Sequence, residues 1–149
     1  MKQPPIVPTS TPAQAATPVQ LPLDQELVLK VIPMPKDCNA NGDIFGGWVM
    51  AQVDLAGVVI PARYTAGRVV TVAVNEFVFK QPVRLGDILS FFAKISRIGR
   101  SSITVEVAVY AERFGTKNRY TKVTSATLTY VAVDEHGRPR ALNLADQRS

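Results

Sequence analysis

The stretch that most constrains this chain is Asn39 to Ile60, which reads NANGDIFGGWVMAQVDLAGVVI. A polar loop ending in two glycines runs into a segment that is apolar on every helical face. Between Trp48 and Ile60 the only side chains with a hydrogen-bonding O or N, apart from the Trp48 indole, are Gln52 and Asp54. A helix apolar all round is normally buried. A carboxylate in such a helix costs several kcal/mol unless it is paired, neutralised or given a task. Asp54 is the residue the fold has to accommodate.

Gly47 and Asp54 are seven residues apart, about two helical turns, so they share a face with a rise of roughly 10 Å between them. Helical side chains lean toward the N-terminus, which carries the Asp54 carboxylate back toward Gly47. If the helix begins at the glycines, their N–H groups lack intrahelical partners and sit at the positive end of the helix dipole. Glycine leaves such donors open because no Cβ blocks a ligand's approach. Backbone donors for an oxyanion, set opposite a general base or nucleophile, are the minimum equipment for acyl transfer. The alternative is a buried Asp bonded to a neighbouring strand or loop, and the residues alone leave both open.

The chain's 149 residues suffice for one domain with a real core. No apolar run is long enough to span a bilayer. The single cysteine excludes an intrachain disulfide and fits a reducing compartment. The opening MKQPPIVPTSTPAQAATPVQ has no apolar core of a secretory signal, so the expected address is the cytoplasm. The net charge of +5 favours anionic partners. Its basic residues gather at Arg97 and Arg100, at Arg113, Lys117, Arg119 and Lys122, and at Arg138, Arg140 and Arg148. No nucleic-acid recognition motif accompanies them, and a nucleotide-bearing small molecule such as coenzyme A would need only a few.

Residues 1–24 are rich in Pro, Thr, Ala and Gln and read as a disordered tail; 25–143 is the expected domain and 144–149 a loose end. Glu26 to Ile32 is a short β-like run that stops at Pro33 and Pro35. A helix is expected from about Gly47 to Arg63, with Gly57 inside and Pro61 near its end. From there the pattern is β. Arg68 to Lys80 places Val70, Val72, Val74 and Val78 on one face and Phe77 and Phe79 on the other. Asp87 to Ile98 and Ser102 to Glu112 flank a tight turn at Gly99–Ser101, and Arg119 to Asp134 is the last long strand. The fold class is therefore α+β, a five-stranded antiparallel sheet wrapped around one long central helix in the order β-α-β-β-β-β. Such a sheet leaves an edge that needs pairing or blocking, and a two-fold dimer would cover it.

This order, with its buried central helix, resembles the hotdog fold. The segment NANGDIFGGWVMAQVD, followed at fitting places by GRVVTVAV, KQPVRLGD, GRSS and TYVAVDEHGRPRAL, resembles the YciA-type acyl-CoA thioesterases over about Leu27 to Leu142. The resemblance implies hydrolysis of acyl-CoA to a free acid and coenzyme A, with no metal or further cofactor. It implies Asp54 as the catalytic carboxylate and Asn39 as the catalytic loop residue, contributed by different subunits. It also implies that the Gly46–Gly47 backbone receives the thioester carbonyl. Hotdog dimers assembled as a trimer of dimers are the implied oligomer.

Other residues compete for a role. Asp43, just before the glycines, suits an N-cap or loop position, and Asn41 is an ordinary loop former. Cys38 has no His placed to activate it and reads as a packed thiol; His136 lies in a polar turn. The turn Gly99, Arg100, Ser101, Ser102 is either a hairpin with satisfied hydroxyls or a contact for coenzyme A, with Arg100 on phosphate. Trp48 reads as packing at the base of the helix, and Gln52 either lines the acyl pocket or is buried and bonded. A hotdog dehydratase would need a His paired with an acid, and His136 stands outside the motif. A non-catalytic acyl-CoA binder or sensor is the main rival, and a nucleic-acid module rests on charge alone.

Overall fold

The computed structural model describes residues 19–116 and 119–142. Residues 1–18 of the expected N-terminal tail, residue 143 of the expected domain, the expected loose end at 144–149, and Lys117 and Asn118 of the expected turn lie outside the described residues. The elements are β1 (Glu26–Val31), a 3-10 turn (Pro35–Asp37), α1 (Gly46–Thr65), β2 (Val69–Phe79), β3 (Asp87–Ile98), β4 (Ser102–Arg113) and β5 (Thr121–Ala132). The five strands form one antiparallel sheet in the order β1-β3-β4-β5-β2. Strands β3, β4 and β5 are consecutive neighbours, and β3 and β4 are joined by a tight turn at Gly99–Ser101. β1 and β2 occupy the two edges, so α1, which links them, has to cross the sheet's face from one edge to the other. That crossing makes it the central helix of a hotdog fold.

The core lies between α1 and the sheet. Val49, Val53 and Ala56 of the helix pack against Leu89, Phe91, Val105, Val107, Val109, Leu128 and Tyr130 of the strands. Pro61 is accommodated inside the helix, which runs two residues past the expected end to a left-handed cap at Ala66. Arg140 secures this end, its guanidinium donating to the Thr65 carbonyl at 3.2 Å and the Val133 carbonyl at 3.1 Å. Gly67 leaves the space: a Cβ there would stand 2.4 Å from Arg140 Nη2.

Two expectations change. Strict alternation in β2 fails because its register to β5 shifts between Thr71 and Ala73 and again between Val74 and Glu76. Val74 therefore lies opposite Leu128, and Phe77 opposite Ala126, all on the helix side of the sheet. Bulges re-aim side chains in this way. Residues 19–24, expected in the tail, lie on the sheet. Val19 N–H donates to the Tyr120 carbonyl at 3.1 Å, Leu21 packs on Phe92, Ala108 and Tyr110, and Asp24 pairs with Lys94 at 3.0 Å.

One chain does not bury its helix all round. Phe45, Met50 and Leu55 stay exposed, Leu55 at 58%. Along the β2 edge Val70, Val72, Val74, Val78 and Phe79 are exposed as well. Apolar side chains on a strand with one unpaired edge make the surface that pairing with another strand would cover. Among the described residues no helix is long and apolar enough to cross a membrane.

Candidate active site

The helix starts where the glycines are. Phe45 is its N-cap and offers no side-chain hydrogen bond, and the first turn holds no acidic residue. The Gly46 and Gly47 N–H groups find no acceptor among the described residues. Two bare donors thus stand at the positive end of the dipole. Around Gly47 there is open space, whereas a Cβ on Gly46 would come 3.2 Å from the Phe79 ring. Beside them opens a cleft of about 360 Å³, lined mainly by Gly46, Val49, Phe79, Pro82 and Val83.

Asp43 is a loop residue here, not a cap. Its N–H is held by Asn39 Oδ1 at 3.1 Å, and its carboxylate reaches Arg84 only at 4.0 Å. Asn39 shapes this loop: its Oδ1 also accepts from Asn41 N–H at 2.9 Å, while its own N–H donates to the Asp43 carbonyl at 2.7 Å. An amide has one oxygen and one NH2 group. With the oxygen committed, the Asn39 NH2 is the part left to donate to another molecule. Cys38 packs against the core as expected of an inert thiol.

Asp54 is half-buried, two turns along the helix. Its Oδ1 accepts from Thr71 Oγ1 at 2.7 Å and from the Tyr130 hydroxyl at 3.1 Å. That hydroxyl has one proton and shares it between Oδ1 and the Asp54 backbone carbonyl, which lies at 3.0 Å. Burial above all, and then the Asp54 charge, push the Tyr130 phenol well up from its ordinary value, so it stays a donor. Oδ2 has no hydrogen-bond partner and Asp54 no ion pair among the described residues. The result is a carboxylate anchored by one oxygen, uncompensated by a cation, with the other oxygen open for chemistry.

Within one chain Asp54 contacts neither Asn39 nor the glycine donors; its partners are Thr71 and Tyr130. Thr71 and Tyr130 escape sequence reasoning because strand pairing brings them in. A signal existed in each: Thr71 is the lone hydroxyl in VVTVAV, and Tyr130 sits in a strand pattern where a buried phenol needs a partner. The Gly99–Ser102 turn is a hairpin, with Gly99 N–H donating to the Ser102 carbonyl at 2.8 Å. The Arg100 carbonyl accepts from Leu142 N–H at 2.8 Å, and the Arg100 side chain is exposed. Ser102 pairs with Val131, which puts this turn at Asp54's end of the sheet. His136 is exposed in its turn. Among the described residues no group of three or more His, Cys, Asp or Glu side chains is placed to hold a metal ion.

Residues 41–116 match the family described as the Thioesterase superfamily. The acyl-CoA thioester hydrolase YciA of Escherichia coli is 42% identical over 120 residues, which are 78% of this chain and 90% of YciA. The chain belongs to the YciA-type thioesterases. Among solved structures, a hexameric thioesterase from Yersinia pestis superposes with a TM-score of 0.79 at 43% identity, covering 83% of this chain and 99% of that one. A hexameric hotdog-fold thioesterase of Campylobacter jejuni gives 0.76 at 41% identity, over 83% and 94%. The match to the YciA-type thioesterases thus spans the sheet, the helix and the loop before it.

Proposed function

We propose that the chain hydrolyses acyl-CoA thioesters to a free acid and coenzyme A, at sites completed by a second copy of itself. The observation that carries the chemistry is Asp54, an uncompensated carboxylate with Oδ1 held by two hydroxyls and Oδ2 open. The thioester carbonyl accepts hydrogen bonds from the bare Gly47 and Gly46 N–H groups, where the helix dipole stabilises the developing oxyanion. Asp54 either takes a proton from an attacking water or attacks the carbonyl carbon itself to give an anhydride, which water then cleaves to the free acid and the regenerated Asp54 carboxylate. The C–S bond breaks and the thiolate leaves. A thiol ionises near pH 8.5, so it departs without a strong general acid. The Asn39 NH2 holds the carbonyl or the water. The apolar cleft beside Gly46 takes the acyl part, and the Gly99–Ser102 turn, with Arg100, lies against the coenzyme A part.

The second copy enters through β2. Thr71 and Phe79 lie four residues either side of Asn75. Antiparallel pairing of two β2 edges about a dyad near Asn75 sets position 71 of one copy opposite position 79 of the other. The Asp54 half of the site, marked by Thr71, then meets the partner copy's helix N-terminus, marked by Phe79 over Gly46. The same pairing covers the exposed valines of β2. The hexameric relatives support further assembly of such dimers, as a trimer of dimers.

The test is thiol release from a panel of short to long acyl-CoAs by wild type and Asp54→Asn. The variant is expected to lose at least about a hundredfold in kcat, the range for removing a general base, with fold and assembly size unchanged. Full activity in Asp54→Asn overturns the assignment of the carboxylate. Coenzyme A binding by wild type without thiol release from any substrate overturns the enzyme reading.

A further inference from the structure

Gly57 is a glycine in the middle of the helix, where that residue is the least favourable after proline. It lies three residues past Asp54, on the side facing β5. A Cβ there would stand 2.3 Å from the Tyr130 hydroxyl oxygen and 3.2 Å from its ring carbon. No ordinary contact is that short, so only glycine lets the phenol reach the helix at this point. The phenol uses the space to make two contacts, to the Asp54 carbonyl and to Oδ1. Tyr130 is 1% exposed, so its ring is fixed by the core around it.

We propose that Tyr130 is a positioning residue for Asp54: its hydroxyl, admitted by Gly57, fixes Oδ1 so that Oδ2 is the oxygen presented to the reacting carbonyl or water. This deepens the thioesterase reading and rests on it. Each carboxylate oxygen has two lone-pair directions. On Oδ1 both are engaged, one by Thr71 at 2.7 Å and the other by the Tyr130 proton at 3.1 Å, which is shared with the Asp54 carbonyl at 3.0 Å and so ties the carboxylate to its own backbone. Thr71 stands on an edge strand and is itself exposed, so alone it is a movable tether. Tyr130 approaches from the central part of the sheet and supplies the rigid one. Two donors from different strands fix both the position of the carboxylate and the turn of its plane, which a single donor cannot do.

The experiment uses Tyr130→Phe, Gly57→Ala and the double variant, measured for kcat, KM and Tm on the full chain. Tyr130→Phe is expected to keep KM and to lose about tenfold to a hundredfold in kcat, as a misplaced catalytic group does. Gly57→Ala is expected to lose both kcat and Tm, because the added methyl strikes the phenol. The double variant should recover Tm relative to Gly57→Ala, since the struck oxygen is gone, while kcat stays at the Tyr130→Phe level. A purely structural Tyr130 predicts a lowered Tm with wild-type kcat, and that result overturns the inference. Gly57→Ala with wild-type kcat and Tm overturns the part assigned to Gly57. Wild type that turns over no acyl-CoA brings down the thioesterase reading and this inference with it. Active wild type with an equally active Tyr130→Phe brings down this inference alone.

Discussion

If the site is shared between two chains, two dead variants should repair each other. Take Asn39→Ala, which keeps Asp54, and Asp54→Asn, which keeps Asn39. Each alone forms dimers in which both sites lack one group. In the heterodimer one site collects both losses, and the other collects an intact Asn39 from one chain and an intact Asp54 from its partner. Random pairing makes about half of the dimers hetero, each with one good site of two, so about a quarter of wild-type activity should return. The structure motivates this arrangement at three points. Asn39 spends its oxygen on its own loop, through Asn41 and Asp43. Asp54 spends one oxygen on its own sheet, through Thr71 and Tyr130. The exposed β2 edge lies alongside the Asp54 half-site. The assay is thiol release after co-expression of the two variants under separate tags and isolation of doubly tagged protein; in a trimer of dimers nearly every assembly carries both tags, so the expected value stays at about a quarter. Activity no higher than the better single variant refutes the shared site and returns Asn39 and Asp54 to one chain.

Three further outcomes follow from the geometry. Arg140→Ala removes two charge-assisted hydrogen bonds that tie the helix end at Thr65 to Val133. It should cost about 2 kcal/mol and lower Tm by roughly 4–8 °C. Arg140→Lys should not restore it, because a point ammonium cannot bridge both carbonyls; a Tm equal to wild type in Arg140→Ala would sink the capping role. At high pH the raised Tyr130 phenol makes its own signature. The folded state holds this proton more tightly than the unfolded chain, so the contribution is full below the ordinary phenol value of about 10 and is lost as pH rises above it. Urea midpoints should therefore fall as pH rises above about 10, and less steeply in Tyr130→Phe; identical slopes would contradict the direction. Val72→Lys, on the exposed β2 edge, should yield folded chains of smaller assembly size by light scattering, with thiol release lost in proportion.

The sequence carried the fold well because the signals were local. The long apolar helix, the valine-rich strands and the Gly99–Ser101 turn each announce themselves within a dozen residues. Asp54 was legible for the same reason, as a carboxylate among apolar neighbours. Of the two positions open to Asp43, cap or loop, the structure takes the loop: the helix start is set by Phe45, whose N–H is bonded to the Asp37 carbonyl, and by the 3-10 turn before it. The β2 alternation failed because two bulges, which depend on the pairing with β5, shift the faces. Residues 19–24 carry tail-like composition, yet Leu21 finds Phe92 and Tyr110 on the outer sheet face. That match depends on strands far along the chain.

The exposed apolar surface explains why one chain alone does not bring Asp54 together with Asn39 and the glycine donors. An all-apolar helix reads as buried, but one copy of the sheet covers only the side bearing Val49, Val53 and Ala56. Leu55, adjacent to Asp54, is left at 58% exposure. A catalytic carboxylate beside an uncovered leucine would sit in water, where its interactions are screened and its reach is wasted. In the proposed dimer, a second subunit that covers Leu55 would also dry the space around Asp54 Oδ2 and bring the bare donors of its own helix to that space. The apolar residues that seemed to call only for a core therefore also place the site: they are uncovered where the partner chain's half of the chemistry has to arrive.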